Sequence, residues 1–151
     1  MADRIAIASD HAAVALKTAL VAWLREHGHH VTDLGPHSHE SVDYPDYGYA
    51  LAQTIAQGAA EFGVALCGSG IGISIAVNRN PAARCALVSD PYSAKLARRH
   101  NDANVIAMGA RLIGEDMAKS CVHAFLETPF EGGERHERRV AKLSHFAKEP
   151  A

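Results

Sequence analysis

The chain of 151 residues has no run of Lys and Arg, and its formal charge is only −2. A dedicated nucleic-acid or anionic-membrane binder needs a concentrated basic surface, so neither partner is expected. No apolar stretch approaches the length of a membrane helix or a signal h-region, and Met1-Ala2-Asp3-Arg4 leads straight into a strand-like segment. A cytoplasmic location is the expectation. The three cysteines (Cys67, Cys85, Cys121) are odd in number and lack C-x-x-C spacing, which argues against a disulfide framework or a zinc knuckle and predicts free thiols. Solenoid-period repeats, low-complexity tracts and interdomain linkers are also missing. What remains, 48% hydrophobic residues in a chain of this length, predicts one domain over 1–151 with its own core. Its partners are then small molecules or further copies of itself.

Apolar strand-like runs alternate with amphipathic stretches. Ile5 to Ser9 reads as a strand, and Ala12 to Glu26 as a helix with Ala13, Leu16, Leu20, Trp23 and Leu24 on one face. His27-Gly28 stops it, Val31 to Leu34 is a short strand, and a loop with Gly35-Pro36 and Tyr44-Pro45 leads into a helix through Ala50 and Ile55. Strands over 62–66, 83–88 and 104–108 then alternate with helices over 71–78, 91–100 and 114–127. Five β-α units in series predict a three-layer Rossmann-like α/β fold: a parallel five-stranded sheet, in flavodoxin-like order, with helices on both faces. The charged stretch from Glu131-Gly-Gly onward predicts an extra C-terminal helix without a sheet partner.

In an open parallel sheet, ligands bind outside the carboxyl ends of the strands. The residues that follow the strands here are polar: Ser9-Asp10-His11, then Cys67-Gly68-Ser69-Gly70-Ile71-Gly72-Ile73-Ser74, then Ser89-Asp90-Pro91-Tyr92, then Gly109-Ala110-Arg111. A carboxylate, an imidazole, a thiol and a guanidinium are thereby expected at one edge. Gly68, Gly70 and Gly72 let the backbone turn tightly and aim several N–H groups inward, an anion hole backed by a helix start. The pattern is neither the dinucleotide fingerprint nor a Walker loop. A thiol opening such a turn is a candidate base, because oriented amides favour thiolate. Arg135 and Arg139 have i, i+4 spacing, so both can face one ligand, and an Arg fork suits a phosphate dianion.

Taken together, Ser9-Asp10-His11, Asp43-Tyr44-Pro45, Cys67 to Ser74, Pro91-Tyr92-Ser93, His100-Asn101-Asp102-Ala103-Asn104, Gly109-Ala110-Arg111 and Gly132 to Arg139 resemble the B-type ribose-5-phosphate isomerases along nearly the whole chain. The resemblance implies a metal-free, cofactor-free aldose-ketose isomerase of the non-oxidative pentose phosphate pathway, interconverting ribose 5-phosphate and ribulose 5-phosphate through a cis-enediol. It implies Cys67 as the base that moves the proton between C2 and C1. Ser69 and the amides from Gly68 through Gly70, Gly72, Ile73 and Ser74 would hold the enediolate. His100 would open the furanose ring, with Asp10 and Asn101 near the sugar hydroxyls and Tyr44 lining the pocket. His11, Arg111, Arg135, His136 and Arg139 would bind phosphate. It further implies a homodimer with active sites built from both subunits, able to pair into tetramers. Enolisation beside a carbonyl needs preorganised N–H donors, so the glycine-rich turn agrees with this chemistry.

The chain departs from some members in having Ile73 where one branch carries a catalytic Glu, Ser69 where many carry Thr, and the additional Glu134. Six-carbon sugar phosphates and a non-catalytic binding module are the rival readings, the latter disfavoured because binding alone needs neither Cys67 nor His100. Elsewhere simpler explanations hold. Cys85 and Cys121 read as small core residues, the stretch His27, His29, His30, His37, His39 as a solvated loop, and Arg98-Arg99 as complements to a helix dipole. The charged tail, Glu134 to Lys148, has a second reading as a solvated amphipathic helix.

Overall fold

The computed structural model describes residues 3–145; Met1, Ala2 and the end of the charged tail from residue 146, Lys148 included, lie outside the described residues. The elements run β1 (Arg4–Ser9), a 3₁₀ turn (His11–Ala13), α1 (Val14–Glu26), β2 (His30–Asp33), α2 (Tyr44–Ala56), β3 (Phe62–Cys67) and α3 (Ile71–Val77). They continue as β4 (Cys85–Leu87), α4 (Pro91–Asn101), β5 (Val105–Gly109), α5 (Glu115–Glu127) and α6 (Glu134–Ser144). All five β-α units are present, and the charged stretch is the extra helix. Among the described residues no helix is long and apolar enough to cross a membrane.

The sheet is parallel throughout, in the order β2-β1-β3-β5-β4. A flavodoxin-like order would place β4 beside β3, so the last two strands are exchanged. Burial explains the exchange. Val105 to Gly109 is buried along its whole length and suits an interior position, whereas Cys85-Ala86-Leu87 is short and ends on an exposed Leu87. The free side of β4 is closed by Asn78, whose side chain donates to the Cys85 carbonyl (2.9 Å) and accepts from its N–H (2.8 Å).

Right-handed crossovers now fix the layers. Moving from β4 back to β5 reverses direction, so α4 joins α1 and α5 on one face, while α2 and α3 share the other. Strand alternation matches the two faces. Ile5, Ile7, Val64, Leu66, Ile106 and Met108 meet Leu20, Leu24 and Phe125, whereas Ala6, Ala8, Ala65 and Ala107 meet Leu51, Ile55, Ile73 and Val77. Burial of one side chain the size of Phe125 contributes about 1.5–3 kcal/mol. The alanine face brings α2 and α3 close to the sheet, and with them the glycine-rich turn that starts α3.

Lys17 and Arg98 are charged residues buried in this frame, as is Asp10 at its carboxyl edge. Lys17 sits on the apolar face of α1 at 1% exposure, and its ammonium donates to both Asp33 oxygens at 2.8 Å. Burial pushes the Asp33 carboxyl up, but hydrogen bonds from Lys17 and the Gly35 amide, with the Lys17 charge, hold it below its ordinary value. A depressed carboxyl contributes stability above its unfolded pKa and loses it as pH falls through the folded one. The pair should therefore weaken only below about pH 4. Asp33→Asn should cost roughly 3–5 kcal/mol near neutrality by leaving the ammonium buried and unpaired, measurable by urea unfolding. Equal stability of variant and wild type at pH 7 would contradict that pairing.

Arg98 also turns inward. Its guanidinium donates to the Ala103 carbonyl (2.7 Å), Asp102 (2.8 Å) and the Thr128 carbonyl (3.2 Å), and lies over the Phe62 and Phe125 rings. It ties the end of α4 to β5 and α5, a larger part than complementing a helix dipole.

Candidate active site

At the carboxyl edge, β3 ends on Cys67, which is 5% exposed and pairs in register with Gly109. The Cys67 sulphur accepts the Gly70 N–H at 3.1 Å, and the Ser69 hydroxyl oxygen accepts the Ile71 N–H at 3.1 Å. One amide of the loop thus points at the thiol and a second is held by the Ser69 hydroxyl. Each loop glycine has a separate reason. Gly70 takes φ +78°, and a Cβ there would stand 2.7 Å from the Met108 carbonyl carbon. At Gly68 the Arg111 side chain lies where a Cβ would come within 3.2 Å of it, and at Gly72 the Tyr44 ring approaches within 2.6 Å of that position.

Asp10 follows β1, donates its backbone N–H to the Leu66 carbonyl (3.1 Å) and caps the 3₁₀ turn by accepting the Ala12 N–H (3.0 Å). His11 comes next, and its Nδ1 accepts the Val42 N–H at 3.1 Å. That bond sets the tautomer in which Nε2 carries the proton of a neutral ring. Arg111 is exposed, and its backbone N–H is held by the Gly68 carbonyl at 3.0 Å. Asp10, Tyr44, Cys67, Gly68, Ser69, Gly70, Gly72 and Arg111 are accordingly linked around one loop, with His11 beside Asp10 in the chain. Ile73 and Ser74 belong to it only through their backbone: the Ile73 side chain is in the core, and the Ser74 hydroxyl donates to the Ile71 carbonyl at 2.7 Å. The first turn of α3 has no helical partners for its amides, which favours oxyanions there.

The other expected residues lie elsewhere. Because α4 starts beyond the carboxyl end of β4, it must run back along the sheet, and its last residues, His100 and Asn101, reach the amino edge just before Val105 opens β5. There α6 crosses from His136, stacked on His100 with ring centroids 4.9 Å apart, to Ser144, whose hydroxyl accepts from Arg84 at 3.4 Å ahead of β4. Arg135 and Arg139 ride on this exposed helix. His100 and the α6 arginines therefore do not share one edge with Cys67 and Arg111. Within one chain the two groups are separated by the length of β5, five residues or roughly 16 Å, more than a five-carbon phosphate can span. The cause is topological: a residue at the end of a helix that follows a strand returns to the strand's starting side.

Glu131, the first residue of the charged C-terminal stretch, also stands at this edge. Its carboxylate lies 3.6 Å from His100 Nε2, and its backbone N–H donates to the Arg99 carbonyl at 3.0 Å. No local pattern marks it, since the contact joins a loop to a helix thirty-one positions earlier in the chain.

The Ribose/Galactose Isomerase family model matches residues 5–143. Ribose-5-phosphate isomerase B of Escherichia coli is 44% identical over 141 residues, covering 93% of this chain and 94% of that protein. D-erythrulose-4-phosphate isomerase of Pectobacterium atrosepticum is also 44% identical, over 143 residues, covering 94% and 93%. The crystal structure of a ribose 5-phosphate isomerase from Thermotoga maritima superposes with a TM-score of 0.92 at 50% identity, covering 94% of this chain and 97% of that one.

Proposed function

The chain belongs to the ribose/galactose isomerase family, and on that premise we propose how its two groups of residues share one reaction. The chain is an aldose-ketose isomerase that interconverts ribose 5-phosphate and ribulose 5-phosphate through a cis-enediol. The observation that carries the mechanism is the Cys67 sulphur at the mouth of the glycine-rich loop, where it accepts the Gly70 N–H. As thiolate, Cys67 takes the proton from C2 of the open-chain aldose, and the C–H electrons form the C1–C2 double bond while the O1 carbonyl becomes the enediolate oxygen. Loop amides and the Ser69 hydroxyl stabilise that charge. The thiol then returns its proton to C1 as the O2 proton passes to the O1 oxyanion, leaving the C2 ketone and a C1 hydroxyl.

His100 opens the furanose ring, Asp10 and Asn101 hold sugar hydroxyls, Tyr44 lines the pocket, and His11, Arg111, Arg135, His136 and Arg139 take the phosphate. Since one chain separates these groups, the working unit in this reading is a homodimer in which the carboxyl edge of one copy faces the amino-edge group of the other. Exposed Ile71, Leu87 and Leu112 line one cleft with Ser69, an apolar rim suited to a second copy. The setting is the cytoplasm and the non-oxidative pentose phosphate pathway.

A coupled assay of ribose 5-phosphate conversion, run in excess chelator beside four- and six-carbon sugar phosphates, tests the reading. Ribose 5-phosphate should have the highest kcat/KM, and preference for another phosphate would reassign the substrate. Arg139→Ala should cost on the order of 1.5–3 kcal/mol of substrate binding, the range for hydrogen bonds to charged groups. Free ribose should be turned over poorly by the wild type. Similar kcat/KM for ribose and ribose 5-phosphate would remove the phosphate role of these arginines.

A further inference from the structure

His100, Glu131 and His136 come from three segments: the last turn of α4, the connection before α6, and the first turn of α6. Their imidazoles are parallel to within 1°, and one donor atom from each residue lies within 4.8 Å of the others. Among the described residues no other group of three His, Cys, Asp or Glu converges this closely. The histidine-rich stretch does not: His29 turns to Asp3 (3.5 Å) and His37 to Asp33 (3.9 Å). In the isomerase reading Glu131 has no part, yet it stands against the imidazole assigned to ring opening.

We propose that His100, Glu131 and His136 form a binding site for a borderline divalent cation, Zn²⁺ above all, and that metal bound there inhibits the isomerase. Two neutral imidazoles and one carboxylate are a common zinc donor set, whereas Mg²⁺ and Ca²⁺ require mostly oxygen ligands. In a tetrahedral site with bonds of about 2.0–2.1 Å, donor atoms stand roughly 3.3 Å apart. The 3.6 Å between His100 Nε2 and Glu131 Oε2 is already near that spacing. The remaining closure falls on side chains that are free to turn, since His100 is 43% and Glu131 54% exposed. The backbone under the site is anchored by the bond from the Glu131 N–H to the Arg99 carbonyl. The carboxyl end of α4 adds a negative dipole beneath the cation, which offsets in part the Arg99, Arg135 and Arg139 charges nearby. Three protein ligands leave a fourth position open to water or a sugar oxygen. The inhibitory consequence rests on the assignment of His100 to ring opening, because a metallated imidazole cannot relay a proton; the binding itself does not.

The test begins with metal-free, full-length protein titrated with Zn²⁺ by calorimetry and with Co²⁺ by visible absorption. One site per chain is expected, with Glu131→Gln and His136→Gln each weakening it roughly tenfold or more. Glu131→Gln should keep the metal-free turnover of ribose 5-phosphate while raising the Zn²⁺ concentration for half-inhibition by a similar factor. Variants that bind Zn²⁺ as the wild type does would overturn the site, as would Zn²⁺ inhibition unchanged by Glu131→Gln. Loss of metal-free turnover in Glu131→Gln would also overturn it, making Glu131 a positioning residue for His100. Failure of the isomerase reading would show differently, as a metal-free wild type that does not convert ribose 5-phosphate although the titrations are normal.

Discussion

Cys67→Ala is expected to lower kcat roughly 10²–10⁴-fold, the usual contribution of a positioned acid-base group. The thiol is 5% exposed at the end of β3, with its sulphur receiving the Gly70 N–H, so no other side chain occupies its position at the loop. The residue that could have substituted, at position 73, is an Ile whose side chain is buried between α2 and α3, so no carboxylate stands ready there. Alanine removes the acceptor of the Gly70 N–H as well as the base, which costs on the order of 1–3 kcal/mol of stability. Cys67→Ser separates the two effects, since a hydroxyl keeps the acceptor but is a far weaker base. Both variants should therefore be slow, the Ser variant with near wild-type stability.

Alkylation gives an independent reading of the same residue. Burial pushes the Cys85 thiol up to about 12, and burial with the Asp90 charge pushes Cys121 up to about 11. Neither forms appreciable thiolate near neutral pH, so iodoacetamide should label Cys67 and inactivate the enzyme, with substrate protecting it. Turnover in D₂O should place deuterium in the product, because the transferred proton passes through an exchangeable thiol. A Cys67→Ala enzyme with near wild-type kcat would sink the assignment and move the base to His100 or Asp10.

The alternation of elements was legible because its signals are local. Strand and helix periods, the Pro91 helix start and the Gly-rich turn each act over a few residues, and every one of the five β-α units appears where those patterns lie. The exchange of β4 and β5 was less accessible, since it depends on which strand is long and apolar enough to be covered on both sides. The carboxyl-edge residues other than Tyr44 were legible for the same local reason: each stands at or shortly after the end of a strand. His100 sits in the last turn of a helix, so its edge is decided by chain direction rather than by a local pattern. Lys17 with Asp33, Arg98 with Ala103 and Thr128, and Glu131 with His100 had no sequence signal at all, because each pairing joins residues through the packing of separate elements or loops.

The proposed division of the site between two sheet edges leads to the second large effect, in mixed dimers. One chain carries Cys67→Ala with an intact α6; the other carries Arg135→Ala and Arg139→Ala with an intact Cys67. Each homodimer should be nearly inactive, the first without its base and the second without two phosphate ligands. In a mixed dimer of the proposed arrangement, twofold symmetry would pair the carboxyl edge of one copy with the amino-edge group of the other. One site then combines the intact Cys67 with the intact arginines, while its twin collects every substitution. Mixed dimers purified through two different affinity tags should accordingly recover about half of the wild-type activity per dimer, a figure set by the twofold symmetry. Such recovery is large against two nearly silent parents, and it cannot arise if each chain builds its own complete site. Truncation from Gly133 onward should abolish activity in homodimers, yet the same truncated chain should serve as a Cys67 donor in a mixed dimer, provided sedimentation shows that it still pairs. Mixed dimers as inactive as their parents would place Cys67 and the α6 arginines in one subunit's site, which the run of α4 back to the amino edge of the sheet speaks against.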